Sequence, residues 1–331
     1  MAFSISDYKN SELSDAISRA PYAPGYIQSL KLFSESSVYR THVDIEYKNN
    51  SLQILQTAER GSRQGPQIVG AKRETVPFKV PHIPEYATVR PDDIPDVREF
   101  GTRDGRKMMN SYITELLRDM RQNMEVTHEF HMMGALNGKV VNPDTTTIHN
   151  LFTLFGLTEN SIDINFASAS LEFMLTCSEI TRYVQDSLGG TPNSGIMVLC
   201  GDTFYDNLTT LQEIKDAYNR PGQGEFLRTN HARKFIDYGN IRWVNYRGRV
   251  GNVTFLEDTQ ARVVPLGVPK MFIRKNGPDD TMNGVGKPGP KYKVTRKQYD
   301  HDGGWEFKAQ SNPLIIATRP QCLIKLNDTT P

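Results

Sequence analysis

The sequence predicts an α+β fold, because helical and strand-like segments are mixed along the chain instead of alternating as βαβ units. Two segments carry most of this prediction: a proline-rich strip from Glu74 to Gly101 and the long charged helix that follows it. The strip is predicted to be extended, since each proline fixes φ, removes an amide donor and disfavours helix at the preceding residue. Its prolines are Pro77, Pro81, Pro84, Pro91 and Pro95.

The long helix is predicted from about Arg103 to Leu136, because apolar side chains recur there every three or four residues with charged residues between them. The apolar positions are Met109, Ile113, Leu116, Met120 and Met124. About 30 residues at 1.5 Å per residue span roughly 45 Å, more than the core of a small domain needs. We therefore expect a spine that crosses a flat subunit and touches neighbouring copies. Asn137-Gly138 is predicted to supply its left-handed cap.

The segment before the strip is predicted to contain an arm and a hairpin. Residues 1–40 form a mixed N-terminal arm with short helices near Leu13–Arg19 and Tyr26–Phe33. Thr41–Tyr47 alternates polar and apolar residues, which predicts a strand, and Leu52–Thr57 is predicted to return as its hairpin partner. A hairpin alone is too small to be stable in water, so we expect it to contact a neighbouring copy.

The second half of the chain is predicted to continue the mixture of helices and strands. A helix is expected over Leu171–Leu188, and Asp202 is expected to cap a further helix over Thr203–Leu211, with a helical stretch reaching Tyr218. Residues 277–290 are predicted to form an irregular loop because they are rich in glycine and proline. The predicted strands are Thr145–Leu157, Ile162–Phe166, Ile196–Cys200, Ile241–Tyr246 paired with Val253–Glu257, Trp305–Ala309, Leu314–Thr318 and Cys322–Leu326.

Composition and motifs argue against several classes of function. The chain has 331 residues and a net charge of +1, from 39 basic and 38 acidic residues, which disfavours tight electrostatic binding of DNA. The three cysteines are far apart and form no Cys-x-x-Cys pair, and no apolar run approaches 18 residues, so we expect no disulfide, no metal site and no membrane span.

The one cluster with the residue types of a metal site lies on the predicted helix, at Glu125-x-x-His128 with Glu129 and His131. A di-iron bundle needs two Glu-x-x-His motifs and two further glutamates, whereas we find one motif. The favoured interpretation is a polar helix face with pairs at i,i+3 and i,i+4. Acidic turns explain Asp92-Asp93 and Asp279-Asp280 as well as a cation site does. The sequence therefore predicts a protein that is not an enzyme and has no cofactor.

A run of basic residues between positions 220 and 249 is opposed only by Glu225 and Asp237. Its members are Arg220, Arg228, Arg233, Lys234, Arg242, Arg247 and Arg249. Such a run can line a nucleic-acid surface or form ion pairs with another subunit, and we favour the second. The candidate subunit-interface residues are Arg242, Arg247, Arg249, Arg60 and Arg73.

Eight short strings, in order from about Val43 to Ile324, resemble the major capsid proteins of tailed phages of the lambda E type. The strings are PFKVPHI (77–83), Arg98 with Phe100-Gly101, GALNG (134–138), LFTLFG (151–156), VLCGDTFYDNL (198–208), IRWVNYRGRVG (241–251), ARVVPLGVPKMF (261–272) and GWEFKAQSNPLIIATRP (304–320). Each string is weak alone, but the set in this order is specific.

The resemblance implies the Hong-Kong-ninety-seven-type capsid fold, with an N-terminal arm (1–40), an extended loop (41–94), a peripheral domain with the spine helix (95–175) and an axial domain (176–299). Residues 300–331 would add strands to the peripheral and axial domains. It also places the basic run in the axial domain, around the ring contacts.

The same resemblance implies a function and partners. The chain would self-assemble as hexamers and pentamers into an icosahedral shell that encloses double-stranded DNA without sequence-specific binding. Expected partners are a portal protein, a scaffold and a decoration protein, with assembly in the host cytoplasm and a final place in the virion. The alternative is an encapsulin-like container that holds a cargo enzyme.

Overall fold

The computed structural model describes residues 10–19, 25–48, 73–93, 105–168, 170–219 and 235–330. The chain divides into two compact units, each assembled from separate stretches. The first unit comprises residues 1–43, 78–132 and 273–315, and the second comprises residues 44–77, 133–272 and 316–331. Both units contain helices and strands in mixed order, which confirms the predicted α+β class.

The helices agree closely with the sequence pattern. The predicted spine is a single helix, α3, and Gly138 follows it with φ +73°, as expected for a left-handed cap. The helices are α1 (Asn10–Arg19), α2 (Tyr26–Ser29), α3 (Gly105–Leu136), α4 (Leu151–Leu154), α5 (Phe173–Leu188), α6 (Asp202–Thr210) and α7 (Gln212–Asn219).

The described part of the chain contains eighteen strands, several of them very short. In order they are β1 (Ser34–Ser37), β2 (His42–Lys48), β3 (Arg73–Lys79), β4 (Ile83–Val89), β5 (Lys139–Val141), β6 (Thr147–Asn150), β7 (Asn160–Ile164), β8 (Gly195–Cys200), β9 (Phe235–Tyr238), β10 (Ile241–Asn245), β11 (Arg249–Val250), β12 (Val253–Thr254), β13 (Gln260–Leu266), β14 (Phe272–Asn276), β15 (Lys293–Gln298), β16 (Trp305–Ser311), β17 (Pro313–Ala317) and β18 (Ile324–Asp328).

The first unit packs α1 and most of α3 on an antiparallel sheet of order β15-β16-β4. The core side chains come from all of these elements: Leu13 and Ile17 from α1, Ile113, Leu117, Met120 and Met124 from α3, and Val89, Val294, Trp305 and Phe307 from the sheet. Because the apolar stripe of α3 recurs with helical period, one face of that helix meets the sheet. The parallel pair β1-β14 also belongs to this unit, with β17 beside β14.

The second unit is organised around a mixed sheet of order β7-β18-β13-β8-β10-β9. Its central strand β8 is almost fully buried, as predicted for Ile196–Cys200. Helix α5 buries Phe173, Cys177, Ile180, Val184 and Leu188, which lie at helical spacing, and ends at Gly189 in the left-handed conformation. Phe173, Phe204 and Trp243 pack ring against ring, with centroids 5.2–6.4 Å apart around Trp243.

The proline strip is extended as far as Val89, as predicted, and then forms a short 3-10 helix at Pro91–Asp93, whereas its residues 94–101 lie outside the described part. Its strands have defined partners within the chain. β3 pairs with β2 in a two-stranded sheet, and β4 pairs with β16 along seven residues. The predicted hairpin partner of β2, Leu52–Thr57, lies outside the described residues. β4 therefore belongs to a three-stranded sheet of the first unit, which the sequence pattern did not predict.

Three local predictions were wrong. Thr145–Leu157 is not one strand, because Asn150 accepts a hydrogen bond from the Thr153 amide and starts the short helix α4. Asp202 does not cap α6; Gly201 occupies that position and Asp202 lies in the first turn.

The third wrong prediction concerns Ile241–Tyr246, which does not pair with Val253–Glu257. β10 is buried between β8 and β9, and β12 pairs with the two-residue strand β11 instead. Burial of Ile241 and Trp243 in the large sheet decides the partner, whereas the intervening turn suggested a hairpin.

Candidate subunit-contact surfaces and a buried polar network

The polar cluster on α3 is buried in the first unit. The Glu125 carboxylate accepts a hydrogen bond from the Tyr292 hydroxyl and lies 3.3 Å from the Lys291 ammonium. Arg121 and His128 lie 3.9 Å and 3.6 Å from its oxygens, at i−4 and i+3. The predicted i,i+3 and i,i+4 pairs are therefore present, but they sit inside the unit, which the sequence alone did not indicate.

Hydrogen bonds define the state of His128. Ser311 donates its hydroxyl proton to the Lys291 carbonyl (2.7 Å), so the His128 Nε2–H, 3.0 Å from that hydroxyl, is the donor to Ser311. Arg274 donates to His128 Nδ1 at 3.1 Å, which requires an unprotonated Nδ1. His128 is accordingly neutral, with its proton on Nε2.

Glu125, His128 and Ser311 have the residue types of a nucleophilic triad, but the arrangement cannot act as one. A general base must accept the serine proton at Nε2, whereas here that nitrogen carries a proton and the serine proton is committed to a carbonyl. All three side chains are also buried. The arrangement is structural, and it holds α3 to β14 and β16.

The environment shifts the pKa values in this network. Burial, reinforced by the charge of Arg274, lowers the pKa of His128 to about 3. Burial alone would raise the pKa of Glu125, but the hydrogen bond from the Tyr292 hydroxyl and the charge of Lys291 oppose it and hold the pKa below its usual range. Burial and the Glu125 charge raise the pKa of Tyr292, so its hydroxyl remains a donor.

Other polar side chains of α3 hold the described part of the N-terminal arm. The Glu129 carboxylate accepts from the backbone amides of Ile27 (2.7 Å) and Gln28 (3.1 Å). Arg121 donates to the carbonyls of Ile17 and Ser18, at the end of α1. These residues of the arm thus pack inside their own unit.

The predicted interface arginines of the second unit are exposed and already have neighbours in the same chain. Arg242 forms a bidentate pair with Asp237, at 2.9 and 3.3 Å. Arg247 lies 3.0 Å from Asp202. Arg249 donates to the Thr254 hydroxyl at 3.4 Å. The basic run predicts ion pairs with carboxylates of other subunits, whereas these two pairs form within the chain and were not predicted.

Arg60 lies outside the described residues, as do Arg220, Arg228, Arg233 and Lys234 of the basic run. Arg73 is the first residue of β3, and nothing is described of its side chain. The predicted grouping of these residues with Arg242, Arg247 and Arg249 therefore lies outside what the structure describes.

Several large apolar side chains are exposed, which the sequence pattern did not predict. They are Tyr39, Tyr86, Met282, Val285 and Tyr299 in the first unit and Leu154, Met174, Leu175 and Val250 in the second. One signal could have indicated them. Residues 277–290 are predicted to form a loop, and large apolar residues within a loop are often exposed.

The acidic pairs are explained by local structure. Asp93 accepts from the Arg90 amide, Asp279 accepts from the Thr281 amide and hydroxyl, and Asp280 pairs with Lys308. Among the described residues no cluster of three histidine, cysteine or acidic side chains is arranged to hold a metal ion. Within those same ranges, no helix has the length and apolar content required to cross a membrane.

The fold of both units resembles that of solved phage capsid proteins. A prophage capsid protein from Escherichia coli CFT073 superposes with a TM-score of 0.60, at 13% identity, over 97% of this chain and 99% of that one. A phage-related protein from Bordetella bronchiseptica RB50 gives a TM-score of 0.50 at 10% identity, over 96% of each chain. At these identities the likeness shows the fold, which is that of a phage capsid subunit.

The sequence comparisons identify the family. The family model described as phage major capsid protein E matches residues 10–327. The major capsid protein of Salmonella phage Felix O1 is 25% identical over 348 residues, which cover 95% of this chain and 94% of that protein. The chain belongs to the phage major capsid protein E family, and it is a structural protein of the virion.

Proposed function

We propose that this protein assembles as hexamers and pentamers into a closed icosahedral shell around double-stranded DNA. The observation that carries the proposal is the family match over residues 10–327. Within the described residues, two unlike exposed surfaces fit such a role: the arginines of the second unit and the apolar side chains of the first. A contact between two different surfaces of neighbouring copies is head-to-tail, and such contacts close into rings when the rotation between copies allows it.

A net charge of +1 supports weak contact between the shell and its DNA. Affinity for DNA and its salt dependence grow with the number of phosphates that clustered cations neutralise. The carboxylates beside Arg242 and Arg247 repel phosphates, which weakens this surface as a DNA site, while the exposed guanidinium groups stay within reach of another subunit. We expect the arginine set, including Arg249, to contribute to contacts between copies in the ring.

The proposal extends to partners: a portal protein, a scaffold and a decoration protein are expected to bind the shell, as the family resemblance implies. The competing function is a container that stores a cargo enzyme instead of a genome. The contents of the purified particle separate the two.

The decisive experiment is electron microscopy of the protein isolated from its source, with nuclease-protected nucleic acid measured on the same particles. Closed shells with genome-length DNA are expected. Closed shells filled with one other protein would support the container, and sedimentation as monomers or small dimers under native conditions would contradict both.

A further inference from the structure

The loop between β14 and β15 is held firmly, yet it exposes two large apolar side chains. The Asn312 side-chain amide donates to the Pro278 carbonyl at 2.5 Å, and the Asn312 backbone carbonyl accepts from the Gly277 amide at 2.8 Å. Asp279 accepts from the Thr281 amide and hydroxyl at 3.2 and 2.7 Å. Asp280 pairs with Lys308 at 3.0 Å.

At the end of this braced segment, Met282 is 90% exposed and Val285 is 74% exposed. We call residues 280–285 the loop tip. A braced loop gains nothing within its own unit by presenting methionine and valine to water, and methionine is over-represented at binding surfaces. The loop tip therefore has the features of a preformed contact surface.

The same unit contains a cavity of about 340 Å³ beside the N-terminal arm. Its apolar wall includes Leu32, Phe33 and Met132, and its charged lining includes Lys31 and Lys291. We call it the arm cavity. The cavity is large enough to admit a methionine side chain against this apolar wall, with the charged residues lining the rest.

The charges around the two surfaces are complementary. The lining of the arm cavity carries three cationic side chains and one carboxylate, Glu35, which lies 3.4 Å from the fully buried Arg274. Lys31 is exposed and makes no ion pair with any described residue. Lys31 follows the end of α2 with a backbone φ of +52°, a left-handed conformation that costs energy for a lysine. The loop tip offers Asp280, whose side chain is 70% exposed and can therefore meet a second cation beside its partner Lys308.

We propose that the loop tip of one copy docks into the arm cavity of a second copy, with Met282 against the apolar wall and Asp280 facing Lys31. The occupant is a second copy because the chain belongs to a family of capsid subunits and because each copy offers both surfaces on the same unit. The contact joins two different surfaces, so it is heterologous and can continue from copy to copy. The inference rests on the proposed function.

Engineered disulfides test the contact. Shells of the double variant Met282→Cys with Leu32→Cys should give a ladder of covalently linked chains after mild oxidation, as seen on a non-reducing gel. Each single variant should remain monomeric on that gel. The native thiols should stay silent, since all three are buried, and burial raises the pKa of Cys177 to about 12 and of Cys322 to about 11.

The matched control is Tyr299→Cys with Leu32→Cys, which places the first thiol on another exposed apolar position of the same unit. Linking no stronger than in this control, in shells that assemble normally, would overturn the inference and leave the proposed function intact. A link from the Met282→Cys thiol to a different co-purified protein would overturn it as well. Failure of the unaltered chain to form any shell would instead contradict the proposed function.

A charge exchange tests the polar half of the contact and does not depend on oxidation. Asp280→Lys should raise the subunit concentration needed for assembly about tenfold, and adding Lys31→Asp should restore it. Asp300→Lys makes the same charge change at another exposed position and should have little effect. Thermal unfolding of each variant separates loss of fold from loss of contact. Equal effects of the Asp280 and Asp300 variants, or no restoration, would count against the contact.

Discussion

One arginine from each unit illustrates the difference between a buried charge and an exposed one. Arg274 in the first unit is 1% exposed and is surrounded by His128, Asn276 and Glu35. Arg247 in the second unit is 75% exposed and meets one carboxylate, that of Asp202. A buried charge needs all of its partners for the unit to fold. An exposed ion pair contributes little to the free energy of unfolding, and its charge stays accessible to another subunit.

The largest effect is expected at the centre of the buried network. Glu125→Ala should lower the free energy of unfolding of the subunit by about 3–5 kcal/mol, because it leaves the buried Tyr292 hydroxyl without its acceptor and removes the anion beside the cations of Arg121 and Lys291. Denaturant unfolding of the isolated subunit measures this. Glu115→Ala, at an exposed position of the same helix, is the control and should cost far less. Equal losses would show that burial does not distinguish the two positions.

Acid should destabilise the first unit through His128. Its pKa is about 3 in the folded chain and about 6.5 in the unfolded chain, so below pH 6.5 the unfolded state binds a proton that the folded state does not. The free energy of unfolding should therefore fall by up to about 3 kcal/mol between pH 6.5 and pH 4. Glu125, whose pKa is held below its usual range in the folded chain, adds a loss in the same direction below about pH 4.5.

Thermal unfolding over that pH range, with His128→Gln beside the unaltered chain, isolates the histidine. The variant should start less stable and lose less stability between pH 6.5 and pH 4.5. His42→Gln, which alters an exposed histidine, is the comparison. A slope unchanged by His128→Gln would contradict the assignment of a neutral buried imidazole.

Two glycines of the second unit should differ in how much their replacement by alanine destabilises the fold, because their surroundings are packed differently. Gly138 and Gly251 both have φ in the left-handed region, but a Cβ at Gly138 would meet the Phe152 ring at 2.2 Å, whereas one at Gly251 meets open space. Gly138→Ala should therefore cost about 2 kcal/mol and Gly251→Ala about 1 kcal/mol. Their difference in the free energy of unfolding measures the steric part alone, and no difference would show that the Phe152 ring moves aside freely.

The smallest effect on folding is expected from the exposed arginines. Replacing Arg242, Arg247 and Arg249 together by glutamine should lower the free energy of unfolding by about 1 kcal/mol or less, because exposed ion pairs contribute little. Assembly should be weakened while DNA retention in the surviving shells is nearly unchanged. Light scattering during assembly and nuclease protection measure the two.

Normal assembly with impaired DNA retention would contradict the role of these exposed arginines in subunit contacts. Intact shells that lose their genome, together with a steeply salt-dependent affinity of the subunit for duplex DNA, would make these arginines a DNA-facing surface. Asp237→Asn with Asp202→Asn is the matched control, since it removes the pairs within the chain and keeps the cationic side chains. If it impairs assembly as much as the arginine replacements, the pairs matter only within the subunit.

The sequence by itself determined the elements whose signals are local. The apolar stripe of α3, the helical spacing in α5 and the apolar run of β8 each reflect one face or one strand that must be buried, and their bounds were predicted within a few residues. The left-handed cap at Gly138 has a local cause too. The order of the short strings, compared with a known family, identified the capsid fold, which periodicity alone cannot specify.

Tertiary structure decided which segments meet. β10 pairs with β8, about 45 residues earlier in the chain, because both are buried in the large sheet, and nothing within Ile241–Asn245 specifies that partner. Arg274 lies 146 residues from His128, so the exclusion of water that makes His128 neutral arises only when β14 and α3 come together. Local sequence sets the conformation of a segment, whereas burial and the protonation state of its side chains depend on the residues packed against it.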